Sequence, residues 1–207
     1  MTATVRFTEE MLGHVTFGES DFERGAQPGR DGSADFKFHL TIEVQDIERF
    51  SHDPLRPAVA NGWVQCDALG GRLPVQQGWF NLFVDVEPGV KHMLYRLWFE
   101  DGVGHPLTMT GFKLVKNDAG FDIWGDTTTL FTRVLKGHVA EGDSEEIVAS
   151  GIIHIRAQDF AKQLTTFRST APSAGQGVAA TLKFGVIFVQ QLADAYLRRG
   201  SRKRVAA

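Results

Sequence analysis

A chain of 207 residues, 43% hydrophobic and 23% charged, has the composition of a soluble globular protein and the length of one domain. Its net charge of −3 argues against a nucleic-acid-binding domain, which would carry a basic patch over a whole face. A lone cysteine, Cys66, excludes an intrachain disulfide framework and a Cys-rich zinc site.

The start of the chain, "MTATVRFTEEMLGH", lacks a basic segment followed by an apolar one, so we expect no signal peptide. We also expect no membrane span, because the best candidate, residues 184–197, is interrupted by two Gln and an Asp. A cytoplasmic protein is the resulting expectation.

The first elements of the chain are a loop, a strand and a turn. Residues 18–35 are polar and glycine-rich, which predicts a loop. The segment "FKFHLTIEV", residues 36–44, alternates apolar and polar side chains, as a strand with one buried face does. A short helical turn follows and is expected to end at Pro54. Six further strand candidates come at short intervals: residues 62–69, 73–86, 92–101, 106–117, 121–137 and 145–157.

The connections between these strands decide how they pair. They carry turn sequences such as "GG", "EPG", "DGVG" and "NDAG", and several contain four residues or fewer. Parallel neighbours need crossovers of about a dozen residues or more, so these strands must be antiparallel. We therefore predict a mainly β protein, an antiparallel up-and-down barrel or strongly curved sheet of lipocalin-like architecture.

Two helices are predicted after the strands. In residues 156–170, Phe160, Leu164 and Phe167 lie at helical spacing. Residues 178–199 form a second, largely apolar helix that ends at Gly200.

The chain divides into two parts on this basis. Residues 1–170 form a β-barrel-like domain, and residues 171–207 hold a linker, the apolar helix and a basic tail. The tail segment "RRGSRKR", residues 198–204, is interpreted first as a solvated end. A linker into a neighbouring domain and a weak contact with a membrane surface are the alternatives.

Several segments are familiar as a set: "RFTEEMLGHVTFGESDFERG", "GWVQCDALGGRLPVQQGWFNLFVD", "MLYRLWFEDGVGHPLTMTGFKLV", "WGDTTTLFTRVLKG" and "SGIIHIRAQDFAKQLTTFRST". They resemble a domain of large actinobacterial-type proteins. There it follows a flavin oxidoreductase domain of the glucose-methanol-choline (GMC) type, which is cholesterol-oxidase-like, and an α/β-hydrolase-like domain often comes after it. The resemblance covers roughly residues 5–170 and the apolar helix.

The resemblance implies an accessory module that works beside an oxidoreductase or hydrolase domain on hydrophobic substrates of sterol or lipid type. The chain itself has no G-x-G-x-x-G motif after a strand and no G-x-S-x-G motif. We therefore expect no cofactor, and the resemblance carries over no catalytic residue.

The hairpin of residues 92–117 presents the sharpest ambiguity, because both faces of its first strand carry large side chains. We expect Tyr95, Leu97 and Phe99 to point inward, since they hold the larger apolar area. Arg96, Trp98 and Glu100 would then point outward; the reversed orientation would create a polar interior. Under the first arrangement the candidate ligand-binding residues are Tyr95, Leu97, Phe99, Met109, Phe131 and Arg133.

The sequence leaves three functions open. The first is a non-catalytic binding module for a hydrophobic small molecule, favoured by aromatic-rich strands without a catalytic motif. The second is a small barrel enzyme of the isomerase, cyclase or hydratase type. It would use His105 or Asp126 as the base and Arg96 or Arg133 to hold an anionic intermediate. The third is a structural spacer between domains. No pair of the seven histidines has a metal-ligand spacing, so no metal site is expected.

Overall fold

The structure is a computed structural model that describes residues 2–116, 123–156, 159, 163 and 165–197. Its strands are β1 (Thr4–Phe17), β2 (Ser33–Val44), β3 (Pro57–Cys66), β4 (Gly71–Pro74), β5 (Gln77–Glu87), β6 (Val90–Glu100), β7 (Pro106–Lys116), β8 (Thr129–Lys136), β9 (Ile147–His154) and β10 (Arg168–Thr170). Its helices are α1 (Phe22–Gly25), α2 (Ile47–His52), α3 (Ile123–Thr128) and α4 (Ala174–Leu197), with one 3₁₀ turn at Asp67–Leu69.

Eight of these strands form a closed antiparallel barrel. Each pairs with its neighbour in the order β1, β2, β3, β5, β6, β7, β8 and β9, and β9 pairs back onto β1. The two short strands lie outside this cycle, β4 on β3 and β10 on β1. The predicted mainly β, up-and-down barrel is therefore confirmed, and its closure is shown by the pairing of Leu12–Phe17 with residues of β9.

The barrel closes where two glycines let the backbones of β1 and β9 approach closely. A Cβ on Gly13 would lie 2.3 Å from the carbonyl oxygen of Ile152. A Cβ on Gly151 would lie 2.0 Å from the carbonyl oxygen of His14. Both distances are too short for any side chain, so this seam requires glycine on both strands.

The structure differs from the prediction in several elements. β1 was not predicted, and the strand predicted at 73–86 is two strands, β4 and β5. The predicted loop at 18–35 contains the helix α1. Residues 121–137 were predicted as one strand, but the described part begins with the short helix α3, and strand structure starts only at Thr129. In the helix predicted at 156–170, the described residues 159, 163 and 165 are helical, while the end of the segment is the strand β10. Phe160 and Leu164, which defined that helix, and the tail at 198–204 lie outside the described residues.

The inward-facing side chains fill the barrel. Tyr95, Leu97 and Phe99 are buried to 3% exposure or less, while Arg96 and Trp98 lie half-buried on the outer face. The predicted orientation of this strand is thus confirmed. Large inward side chains of other strands are likewise fully buried, among them Phe36, Phe38, Leu40, Met11 and Met109.

Helix α4 covers the end of the barrel at which β1 begins. Phe184 packs against Phe7 of β1, at 5.8 Å between ring centroids, and against Phe50 of α2, at 5.9 Å. Phe188 meets Phe83 edge to face at 5.1 Å. Phe83 has a φ of +52° and lies in the irregular pairing of β5 with β6, so a β-bulge turns this ring toward the helix.

A buried ion pair lies beneath this helix. Lys113 of β7 contacts the Glu9 carboxylate of β1, and both side chains are at most 3% exposed. The Tyr95 hydroxyl donates to the other Glu9 oxygen at 2.7 Å. Burial, together with the charge of Glu9, raises the pKa of Tyr95 well above its ordinary value, which keeps the hydroxyl a donor. The three groups therefore satisfy one another's hydrogen bonds within the core.

Removing only one charge of this pair should destabilise the fold strongly. Lys113→Met leaves the Glu9 carboxylate buried without a cation, and we expect a loss of about 3–5 kcal/mol in the free energy of unfolding. The double variant Glu9→Gln/Lys113→Met removes both charges and keeps an acceptor for Tyr95, so its loss should be much smaller. Urea denaturation of the double variant and of the single variants Lys113→Met and Glu9→Gln measures the difference. A double variant whose loss equals the sum of the two single losses would contradict this interpretation.

Candidate functional site

The barrel interior offers little free space. A cavity beside Glu9, Lys113 and Tyr95 has a volume of about 40 Å³, which suits a water molecule and not a lipid. Of the predicted ligand-binding residues, Leu97, Phe99 and Met109 are fully buried and Tyr95 is 3% exposed. These four side chains are part of the packed core, because neighbouring inward side chains occupy the volume that a ligand would need.

A groove of about 600 Å³ lies on the outer wall instead, across strands β5 to β8. Cross-strand pairing arranges its floor in two rows. Within each row, every residue pairs with the next one on the neighbouring strand. One row contains Trp79, Arg96, Thr110 and Arg133. The other row contains Asn81, Leu94, Phe112 and Phe131. We call this feature the outer groove. It brings together Phe131 and Arg133 of the predicted ligand-binding set, and it adds Arg96.

Aromatic rings form the apolar part of the outer groove. Phe112 and Phe131 stack at 5.2 Å between ring centroids, and Phe22 of α1 meets each of them edge to face at 5.7 and 5.6 Å. All three rings are only half-buried, so they expose an apolar surface on the outside of the barrel. Such half-exposed aromatic surface is typical of binding sites for small molecules.

Helix α1 is held in place by its own capping interactions. The Asp21 side chain caps the helix by accepting from the Arg24 backbone N–H at 2.8 Å. The Thr16 hydroxyl donates to the carbonyl of Gly25 at 2.9 Å. A Cβ on Gly25 would lie 2.0 Å from the carbonyl oxygen of Ser150, so only glycine allows the helix to sit this close to β9. Phe22 is thereby fixed over the groove.

Two arginines supply positive charge to the floor. The Arg133 guanidinium lies over the Phe22 ring, 4.6 Å from its centroid, and its buried Nε has no hydrogen-bond partner. Arg96 donates to the carbonyl of Val139 at 2.8 Å. Neither guanidinium forms an ion pair with any carboxylate of the described residues, so both charges are available to an anionic or strongly accepting group.

The loop after β8 forms one wall of the outer groove. The Val139 carbonyl accepts from Arg96 and also from the indole N–H of Trp98, at 3.2 Å. The Thr108 hydroxyl donates to Gly137 at 2.7 Å and accepts from the Val139 N–H at 2.8 Å. His138 stacks on Trp98 at 5.1 Å with parallel rings. These contacts fix the wall to the floor.

The rim of the outer groove carries two carboxylates, Glu141 and Glu145. Both side chains are exposed, so solvent screens their charges more than those of the half-buried arginines below them. The groove therefore has an acidic rim above a cationic and aromatic floor.

The two candidate catalytic residues, His105 and Asp126, lie at opposite ends of β7. His105 lies in the exposed turn that precedes β7, where its Nδ1 lies 3.0 Å from Asp101. Asp126 lies in α3 and accepts from the backbone N–H of Lys116, the last residue of the same strand. Eleven residues of β-strand separate them, a length of roughly 30 Å, so one small substrate could not contact both.

Among the described residues, the other reactive side chains form neither a metal site nor a reactive thiol. No group of three or more His, Cys, Asp or Glu side chains there could hold a metal ion. Cys66 is buried, and burial raises the pKa of its thiol, which disfavours the reactive thiolate. It packs as a small hydrophobic residue, as its place in a strand predicts.

Sequence analysis did not place Phe22, Trp79 or Phe112 in a site. Phe22 falls in a segment predicted to be a loop, and Trp79 and Phe112 sit on strands whose pairing register is not visible in the sequence. The available indication was the presence of large side chains on both faces of β5, β6 and β7.

Comparison with known proteins adds no identity. No family model, no curated protein and no solved structure matches this chain. The resemblance to a domain of GMC-type oxidoreductase proteins therefore stays a prediction.

A histidine that contacts one of the rings of the outer groove predicts a pH dependence of stability. His92 stacks on Phe112 at 4.8 Å, and burial lowers its pKa, as it does that of His154 on β9. The unfolded state then binds more protons than the folded state as the pH falls through about 6.5, the ordinary imidazole value. Stability should decrease from pH 7 toward pH 5.5.

Urea denaturation at several pH values measures this decrease, and His92→Gln/His154→Gln should flatten it. An unchanged slope in the double variant would show that other groups cause the dependence.

Proposed function

We propose that the protein is a non-catalytic binding module for a hydrophobic small molecule of sterol or lipid-like size, held in the outer groove. The observation that carries this proposal is the floor of the groove. There two guanidiniums that form no ion pair within the described part of the chain lie beside a cluster of half-exposed aromatic rings. Its volume of about 600 Å³ lies within the range of small-molecule sites.

The two rows of the floor suggest how such a ligand would lie. An apolar body would cover Leu94, Phe112 and Phe131, burying surface that water now contacts. A hydroxyl, carboxylate or similar acceptor would reach Arg96 and Arg133 on the neighbouring row. The acidic rim would favour ligands whose polar end lies deep and whose exposed edge is neutral or positive.

Catalysis receives less support than binding. A general base must lie within hydrogen-bond reach of the proton that it removes. The carboxylates among the lining residues are the exposed Glu141 and Glu145, while His105 and Asp126 do not line the outer groove. The groove therefore has groups that bind and orient, without a buried base directed at a bound molecule.

The molecular setting that the sequence suggests is compatible with this role. Proteins that combine GMC-type oxidoreductase and hydrolase domains handle apolar substrates, and a module resembling their accessory domain would hold such a molecule beside the enzyme. The proposal places this activity in the cytoplasm.

The experiment is a ligand capture followed by a titration. The purified protein is incubated with a total lipid extract, separated from free lipid by gel filtration, and analysed by mass spectrometry. Quenching of the fluorescence of Trp79 and Trp98, which line the groove, then measures the affinity for anilinonaphthalene sulfonate and for each captured lipid. Arg133→Gln should weaken binding of an anionic ligand about tenfold to hundredfold, since one charge-assisted hydrogen bond is lost.

Arg72→Gln provides the matched control. Arg72 lies over the ring of Trp63 at 4.2 Å, as Arg133 lies over Phe22, but it is outside the groove. Its affinity should equal that of the unaltered protein. Equal losses in both variants, or a protein that retains no lipid and shows no quenching, would contradict binding in the outer groove.

A further inference from the structure

The outer groove contains positive charge that the protein itself does not neutralise. Elsewhere on the molecule, four lysines that are buried or half-buried contact a carboxylate: Lys37 with Glu10 at 2.9 Å, Lys91 with Asp85 at 2.7 Å, Lys113 with Glu9, and Lys183 with Glu48. Arg96 and Arg133 are also half-buried, but neither forms an ion pair in the part of the chain that the structure describes. A cation that has lost part of its hydration favours an anionic partner, so the groove floor favours a negatively charged ligand group.

The two guanidiniums also have hydrogen-bond donors to spare. Each guanidinium carries several N–H groups in a fixed, planar fork. Arg96 donates to the Val139 carbonyl at 2.8 Å, whereas Arg133 donates to the Ser20 carbonyl at a long 3.5 Å. The Nε of Arg133 has no hydrogen-bond partner among the described residues. Arg133 is therefore the less committed of the two arginines and the better partner for a ligand oxygen.

A carboxylate suits this arrangement better than a hydroxyl does. Both oxygens of a carboxylate only accept hydrogen bonds, and together they match the fork of a guanidinium with two parallel bonds. A hydroxyl group accepts as well, but it carries no charge and brings a donor of its own to a floor that already has donors in excess. Charge-assisted hydrogen bonds are also about twice as strong as neutral ones.

The apolar part of the groove begins directly beside Arg133. Its guanidinium lies over the Phe22 ring, 4.6 Å from the centroid, and Phe22 in turn contacts Phe112 and Phe131. A carboxylate at Arg133 would thus place the carbon atoms attached to it against these three rings. Arg96 lies on the same row with β7 in between, roughly 10 Å away between Cα atoms, and adds a second positive charge.

The rim limits how much negative charge the ligand can carry. Glu141 and Glu145 line the groove, and both are exposed. Their carboxylates repel a second anionic group near the opening, and they repel a doubly charged phosphate more than a single carboxylate. The rest of the ligand is therefore expected to be uncharged.

We infer that the ligand of the outer groove is an apolar monocarboxylic acid, with its carboxylate paired to Arg133 and its apolar body on Phe22, Phe112 and Phe131. This inference rests on the proposed function, because it names the ligand class of the same groove. Fatty acids and sterol acids share this chemistry. A neutral sterol or alcohol would leave both guanidinium charges without a partner.

The test compares acids with neutral molecules that have the same apolar body. The purified protein is titrated by isothermal calorimetry at neutral pH with palmitic acid and hexadecanol, and with lithocholic acid and its methyl ester. We expect at least one acid to bind about tenfold or more tightly than its neutral counterpart, because a charge-assisted hydrogen bond is gained. The pair with the tighter binding shows whether the apolar body is a chain or a sterol ring system. The preference for the acid should decrease as salt is raised.

Three variants locate the carboxylate. Arg133→Gln should remove the preference for the acid and leave the neutral counterpart bound, which also shows that the variant is folded. Arg133→Lys keeps the charge but not the planar fork, so it should retain part of the preference. Arg72→Gln is the matched control, because Arg72 lies over the Trp63 ring at 4.2 Å outside the groove, and it should change neither affinity.

The possible results separate this inference from the function on which it rests. Equal affinities for the acids and their neutral counterparts would overturn the carboxylate and leave binding of an apolar molecule intact. A preference that persists in Arg133→Gln would overturn the role of Arg133. Binding of none of the four molecules would contradict the proposed function itself, and the inference would fail with it.

Discussion

The close approach of β1 and β9 is the constraint on which the rest of the structure depends. Gly13 and Gly151 allow the two backbones to pair, and this pairing closes the barrel at eight strands. A barrel of eight strands has an interior just wide enough for its own side chains. Bulky inward residues then fill it, so the interior leaves no room for a molecule of lipid size. The position of the outer groove is thus a consequence of barrel closure.

Barrel closure was also the least predictable part of the fold. Val5, Phe7, Met11 and Val15 of β1 alternate as a strand should, but the inward positions between them hold Glu9 and Gly13. A carboxylate at an inward position hides the strand pattern in the sequence. Its partner, Lys113, is 104 residues away, so only the folded chain shows why the carboxylate is tolerated. The strands between the short turns were predictable because their alternation is local.

The candidate site was predictable only in part, for a related reason. Period-2 alternation decides which side chains share a face, and it gave Tyr95, Leu97 and Phe99 as the inner set of β6. This alternation does not determine which face of the barrel wall has a groove large enough for a ligand. The pairing register of β6, β7 and β8 places Arg96 and Arg133 on either side of Thr110. That register depends on turns and bulges in three strands, which the alternation of side chains does not show. Asp126 was placed on a strand because the threonines after it favour strands, whereas Gly125 and Asp126 themselves do not.

The chemistry of the outer groove distinguishes it from other apolar surface of the protein. The groove combines rings with guanidinium and indole donors, which are directional and can distinguish one ligand from another. Exposed aliphatic side chains such as Leu182 and Val186 of α4 carry no donor, and their burial is favourable against any apolar surface. The proposed recognition of a ligand therefore depends on Arg96 and Arg133 together with the rings beside them.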